Sequence, residues 1–443
     1  MLSDRKEAPL QAHLRSAAFV PRPRDLLRTH MDAKHHAAAS PPAGSAQLEA
    51  FYALVLEDPS LQQVLRGFAG ADEFMAALLD AARQRGFQLA VEDVRAAMHE
   101  RLLGIDNLVE NDVKATPLPP DGWLPIRASW QGAELYVHWA YFGERPLRDP
   151  FFEGDVRGCL YAPFARLFRY VTPIETLTAW LKTRPHLEPS GFIFHMSHCG
   201  STLVSQMLAA LPSNIVVSEA SPIDTVVQAN RWRPDLSEDR HALWLHSVIG
   251  ALGQKRSGNE RHYFVKLDCW HTLALPLFRR AFPAVPWVFL YRDPVEVLVS
   301  QLRIPGTQMI PGGIGPNLYG LERSYGPGTA EDYYAQVLAK VTEPAVAHYA
   351  SGGGLLVNYR QLPDALFTAI LPHFGVVCGE ADRAAMTETA RFDAKTPGFE
   401  FAPDSGAKQQ ASTPTTRAAA DRWLGDLYRR LEVLRAEGSW SSV

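Results

Sequence analysis

The sequence predicts an α/β protein: a parallel sheet of the P-loop type flanked by helices, preceded by a small helical module and a short β-element. Three observations predict it. Residues 192–194 are a short apolar run, suited to a buried parallel strand, and a small-residue segment and a run with helical spacing follow. Apolar runs at 215–217, 263–266, 285–291 and 355–359 repeat that plan, with helical stretches between them. Upstream, residues 47–103 carry helical spacing, and 123–139 alternate in the manner of strands.

Composition narrows the class. With 47% hydrophobic and 21% charged residues, the 443-residue chain can bury a substantial core and reads as globular. A formal charge of −4 and a pI of about 6.4 lack the footprint of a nucleic-acid binder. Cys159, Cys199, Cys269 and Cys378 are scattered without metal-ligand spacing, which favours reduced thiols in a cytoplasm. Residues 1–30 are charged and proline-containing, so no secretory signal is expected. No stretch of about 18 apolar residues occurs, so no membrane span is expected either.

The expected organisation is a flexible tail (1–46), a helical module (47–104), a β-rich connecting element (105–185) and an α/β domain (186–443). In the module, Leu48, Phe51, Tyr52, Val55 and Leu56 share a helical face. Asp58-Pro59 forms a cap and first-turn pair, and Gly86 closes a later helix. Phe51, Asp58, Leu61, Leu65, Glu73, Phe74 and the Gly86-Phe87 pair are similar to the nitrogen-fixation-associated leader-peptide family. That resemblance implies a module that recognises a peptide or a partner protein; a docking domain is the other reading. After the proline-rich 117–121, strands are expected at 123–127, 129–131 and 134–139, with Gln131-Gly132 as a hairpin turn. Residues 174–181 form a helix leading into the central strand.

The segment 191–211 has the geometry that aims backbone N–H groups and a positive helix end at an anion. Gly200 lets backbone approach phosphate, and Ser201 and Thr202 add hydroxyl donors. The spaced glycines and Gly-Lys-Ser/Thr ending of a Walker A loop are absent. A second strand at 285–291 ends in Arg292-Asp293-Pro294, at the edge where parallel sheets bind ligands. Ser300 follows about two turns up the next helix, so arginine and hydroxyl can clasp one phosphate jointly.

These two motifs, in this order, resemble the sulfotransferase superfamily, over roughly residues 191–434. The resemblance implies that His198, Cys199, Gly200, Ser201, Thr202 and Leu203 hold the 5′-phosphosulfate of 3′-phosphoadenosine 5′-phosphosulfate. It implies that Arg292 and Ser300 hold the 3′-phosphate. Tyr359, at the end of the last strand, is the candidate to stack on adenine, and Lys408, in an irregular stretch at 392–415, the candidate to close over the 3′-phosphate. Lys266 is expected to stabilise charge on the transferring group, with a salt bridge to Asp268 as the alternative. Glu219, in a strand-end loop, matches the general base of the tyrosine-protein sulfotransferases. Cytosolic members carry a histidine two positions after the lysine; Asp268 stands there, which favours Glu219, with His271 in reserve. His198 departs from the family's Lys or Arg, and is expected to serve as a cation once phosphate binds.

The resulting expectation is sulfuryl transfer from that nucleotide to a hydroxyl acceptor, a phenol or tyrosyl peptide, without a metal. The alternatives are an ATP-dependent small-molecule or peptide kinase and a non-catalytic peptide-binding relic. The Gly/Pro-rich residues 303–329 are expected to cover the site as a lid. Residues 225–261 are expected to be helical and polar, with a loop at 230–234.

Overall fold

The computed structural model describes residues 43–103, 115–315, 317–321 and 329–438. Most of the tail expected at 1–46 thus lies outside the described residues, as does part of the expected lid.

Four helices open the described residues: Ala43–Glu57, Pro59–Arg66, Ala71–Gln84 and Val91–Leu103. Asp58 caps the second, its carboxylate accepting the Leu61 N–H at 3.0 Å, and Pro59 sits in a first turn whose N–H needs no partner. Phe51, Phe74 and Leu78 are buried. These helices dock on an antiparallel sheet of β1 (Trp123–Gln131), β2 (Glu134–Tyr141) and β3 (Tyr170–Pro173). Polar bonds fix the register of docking: Tyr52 Oη accepts the Arg169 N–H at 2.8 Å, and Gln62 Nε2 donates to Tyr170 Oη at 2.8 Å. The two pieces expected at 123–127 and 129–131 are one strand. Its ladder shifts register between Pro125 and Arg127, since proline has no N–H to donate.

The larger sheet holds β4 (Gly191–His195), β5 (Asn214–Ser218), β6 (His262–Lys266), β7 (Trp287–Tyr291) and β8 (Gly354–Asn358). All pairings are parallel, in the order β5-β6-β4-β7-β8. β4 and β7 are buried along their whole lengths, as expected of strands covered by helices on both faces. From β4 the chain runs to one side for β5 and β6, then to the other for β7 and β8. The carboxyl ends of β4 and β7 therefore flank the switch point where such sheets take ligands.

Several local expectations change. The helical stretch expected between the runs at 263–266 and 285–291 begins as a 3₁₀ stretch, Cys269–Ala274, and becomes α-helical at Leu275–Ala281, where Pro276 falls in a new first turn. Asn230, Arg231 and Trp232 are helical, not a loop, and Glu238–Leu252 is mostly buried, with Trp244, Leu245 and Ile249 in the core. The irregular stretch expected at 392–415 contains a helix, Ser405–Ala411. No helix among the described residues is long and apolar enough to cross a membrane.

Candidate active site

The loop after β4 turns on left-handed residues. Ser197, His198 and Gly200 have φ of 80°, 48° and 89°. A side chain in that region costs about 1–2 kcal/mol, so the two non-glycine residues are held there by their bonds. Ser197 N–H donates to His195 Nδ1 at 3.1 Å, and Ser197 Oγ accepts from Gln301 and Gln308 at 2.9 and 3.0 Å. The helix Ser201–Ala209 then starts at the loop's end, with Ser201 and Thr202 buried in its first turn and Leu203 packed on the core. Cys199 faces the core: its thiol donates to Leu290 O at 3.1 Å, and burial raises its pKa to about 11. Only its backbone is available to a ligand.

His198 ties the two sequence motifs together. Its Nδ1 and Ser300 Oγ hydrogen-bond at 2.6 Å. The expectation that His198 is a cation concerns the state with phosphate bound; without it, the surroundings disfavour the protonated form. Burial first, then the charges of Lys395, Lys408, His195 and Arg292, pull it down to about 3. The imidazole is neutral because it is desolvated among cations.

Arg292 sits at the tip of β7, but it is already engaged. Its Nε donates to Glu296 at 2.6 Å, and one terminal nitrogen to Asp404 at 2.6 Å and to Ser405 Oγ at 3.0 Å. Its guanidinium lies 3.9 Å from the Tyr359 ring centre. Tyr359 therefore stacks on arginine here. Lys408 is buried on the Ser405–Ala411 helix and pairs with Asp404 at 2.7 Å. The Asp404 carboxylate thus bridges two cations, as a phosphate would.

Glu219 and Lys266 form the second centre. Glu219 follows β5 with φ 55°, fixed by its N–H donating to Lys266 O at 2.8 Å. Its Oε1 accepts from Lys266 Nζ and stands 3.4 Å from His195 Nε2. Burial alone would raise this carboxyl, yet Lys266 and His195 together hold it at about 2. The Lys266 side chain is fully buried, with its ammonium 4.8 Å from the Phe151 ring centre. Its partner is Glu219, not Asp268. Asp268 is pushed well above the carboxylate range by burial, then by Glu219 and Asp224. His271, the reserve base, donates from Nε2 to Asp224 at 2.9 Å, and Trp270 donates to the same oxygen at 2.6 Å. Asp224, Asp268 and His271 hold three potential ligand atoms within 4.8 Å of one another. The Asp224 carboxylate is already engaged by three hydrogen bonds, from His271, Trp270 and Gln228. Beside it lie two clefts of about 550 and 620 Å³ sharing Asn317 and Leu318; Trp270 lines one, Tyr319 and Tyr333 the other.

Sequence reasoning missed Asp224, His195, Glu296 and Asp404, all of which act by pairing with residues it did name.

No protein-family model matches the chain, and no curated protein matches it. Among solved structures, its neighbours are sulfotransferases. It is similar to the sulfotransferase domain from the Synechococcus PCC 7002 olefin synthase, at 16% identity over 57% of this chain and 96% of that one, TM-score 0.33. It is similar to the sulfotransferase domain from the curacin biosynthetic pathway, at 16% identity over 57% and 98%, TM-score 0.33. It is also similar to mouse sulfotransferase SULT7A1 complexed with PAP, at 11% identity over 60% and 94%, TM-score 0.34.

Proposed function

We propose that this chain is a sulfotransferase, moving a sulfuryl group from 3′-phosphoadenosine 5′-phosphosulfate to a hydroxyl acceptor, with a phenol or tyrosyl peptide favoured. One observation carries the reading: the His198–Ser300 bond joins the loop after β4 to the helix after β7, so the two motifs meet at the tips of neighbouring strands. Gly200 also lies against Tyr359, on which Arg292 stacks. A single nucleotide can then span the two motifs.

The loop amides at residues 199–202 and the helix end hold the 5′-phosphate. Arg292, Ser300 and Lys408 hold the 3′-phosphate, which displaces Asp404. Lys266 serves two partners in turn. As negative charge grows on the leaving oxygen, its ammonium shifts toward that oxygen. Glu219 loses its counter-ion at that moment and becomes basic enough to take the acceptor proton. The Trp270 and Tyr319 clefts give the acceptor an aromatic-lined approach from the Asp268 side. The four free thiols, three of them buried, support a cytoplasmic setting.

Calorimetry tests the donor: adenosine 3′,5′-bisphosphate should bind and ATP should not. Asp404→Asn should tighten the bisphosphate several-fold, because one competitor for Arg292 and Lys408 loses its charge. Preference for ATP would replace this reading with the kinase.

To residues 47–104 we assign recruitment of a peptide or protein partner. Deleting them would strip the packing from Tyr170, so a surface change is the better test. Val64 is 59% exposed on the Pro59–Arg66 helix. Val64→Glu should raise KM for a tyrosyl-peptide acceptor while leaving 2-naphthol turnover unchanged. An unchanged peptide KM would return these helices to docking alone.

A further inference from the structure

The strained backbone of the site gathers on one histidine. Among the described residues, the non-glycine residues with left-handed φ are Ser197, His198, Glu219 and Asn317. Two of them, Ser197 and Glu219, meet opposite ring nitrogens of His195. Such strain persists only where the surroundings over-determine it, and it clusters where chemistry is done.

His195 closes β4, and its side chain is 6% exposed. Nδ1 accepts the Ser197 N–H at 3.1 Å, so that nitrogen carries no proton. Nε2 therefore carries it, donating to Leu267 O at 2.8 Å and standing 3.4 Å from Glu219 Oε1. Leu267 is fixed in turn, its N–H donating to Ile193 O at 3.0 Å. Two backbone groups thus select one tautomer, and burial disfavours a second proton on the ring. Glu219 Oε1 is met from two directions, by His195 Nε2 and by Lys266 Nζ. Among the described residues no hydrogen bond reaches Oε2. The Glu219 side chain is 22% exposed and that of Lys266 0%, so an acceptor reaches the pair from the Glu219 side. The imidazole is rigid, so a shift of the loop after β4 at Nδ1 is carried to the carboxylate at Nε2.

We propose that His195, in this one tautomer, is a positioning residue that fastens the base Glu219 to the loop after β4, leaving Oε2 as the atom that takes the acceptor's proton. This rests on the sulfotransferase reading. In the step, the acceptor oxygen bonds sulfur and its proton passes to Oε2. The bond from sulfur to the bridging oxygen breaks, and its electron pair stays on the leaving phosphate. His195 neither gains nor loses a proton.

Two substitutions in the full chain separate the two ends of the ring, with 3′-phosphoadenosine 5′-phosphosulfate as donor and 2-naphthol as acceptor. His195→Asn keeps an acceptor where Nδ1 stood and loses the donor to Glu219. It should lower kcat about 10²-fold, the loss expected of a misplaced base, and hold affinity for adenosine 3′,5′-bisphosphate within about threefold. The acid limb of its kcat profile should move to higher pH, because the carboxylate has lost a donor. The other titratable groups whose charge meets Glu219 are Lys266, Asp268, Cys269 and Lys395, and both variants retain them. His195→Gln keeps a donor where Nε2 stood and leaves the Ser197 N–H without its acceptor. It should weaken the bisphosphate about tenfold, the effect of one buried donor left unpaired, yet retain more of kcat than His195→Asn and keep the parent's acid limb. Parent kcat in His195→Asn would overturn the assignment. So would kcat and affinity falling together in both variants, the mark of a residue that only packs. If His195→Asn does not fold, His195→Gln decides alone: an acid limb displaced from the parent's overturns the assignment. A parent protein that binds no bisphosphate would overturn the sulfotransferase reading itself, and this assignment with it.

Discussion

Lys266→Met should abolish most turnover, lowering kcat by about 10²–10³-fold, while bisphosphate affinity changes little. The side chain is fully buried against Glu219, so the substitution acts on two things at once. It removes a cation from the leaving oxygen, and it leaves a carboxylate without its counter-ion. Breaking a buried pair by removing one member costs about 3–5 kcal/mol; the partial exposure of Glu219 places this case toward the lower end. The effect on acid stability has a definite sign. Glu219 is held at about 2, below the ordinary value of 4.5, so its pairing contributes stability above the unfolded value. That contribution is lost as pH falls from about 4.5 toward 2. In Lys266→Met only His195 is left to oppose the burial of Glu219, so the depression shrinks and acid unfolding should become less dependent on this carboxyl. Acid titration followed by tryptophan fluorescence reads the difference. Parent-like kcat in a folded Lys266→Met protein would remove Lys266 from the mechanism.

Gly200→Ala should cost about 2–5 kcal/mol at the nucleotide site, counting strain and overpacking together. The strain comes from φ of 89°, where an added Cβ is unfavourable. The overpacking comes from that Cβ meeting Leu362 Cδ1 at 2.7 Å and Tyr359 Cδ2 at 2.9 Å. Because Tyr359 carries Arg292, the push is relayed from one phosphate motif to the other. Bisphosphate affinity should therefore fall by about 30-fold or more, given about 1.4 kcal/mol per tenfold change. Adding Leu362→Ala should recover the packing share and leave the backbone share. Calorimetry on the single and double variants separates them; equal affinity in Gly200→Ala and parent would place the nucleotide elsewhere.

The strands β4 to β8, the loop after β4, and the places of Arg292, Glu219 and Lys266 at strand ends were all legible in the linear chain. Apolar run length and helical spacing are local properties, and residues a few positions apart carry them. The hairpin at Gln131-Gly132 was legible for the same reason, since a turn depends on its own two residues. The state of the charges was not. That the protonated form of His198 is disfavoured depends on burial and on Lys395, Lys408 and Arg292 from other segments. That Arg292 is occupied depends on Asp404, a carboxylate from a different part of the chain. That Lys266 chooses Glu219 over Asp268 depends on β5 lying beside β6. A side chain's protonation and partner are set by desolvation and by charges within a few ångströms. Distances between segments remote in sequence exist only once the sheet order is formed. The chain alone therefore determined which groups stand at the strand tips; folding decided which of them remain free to act.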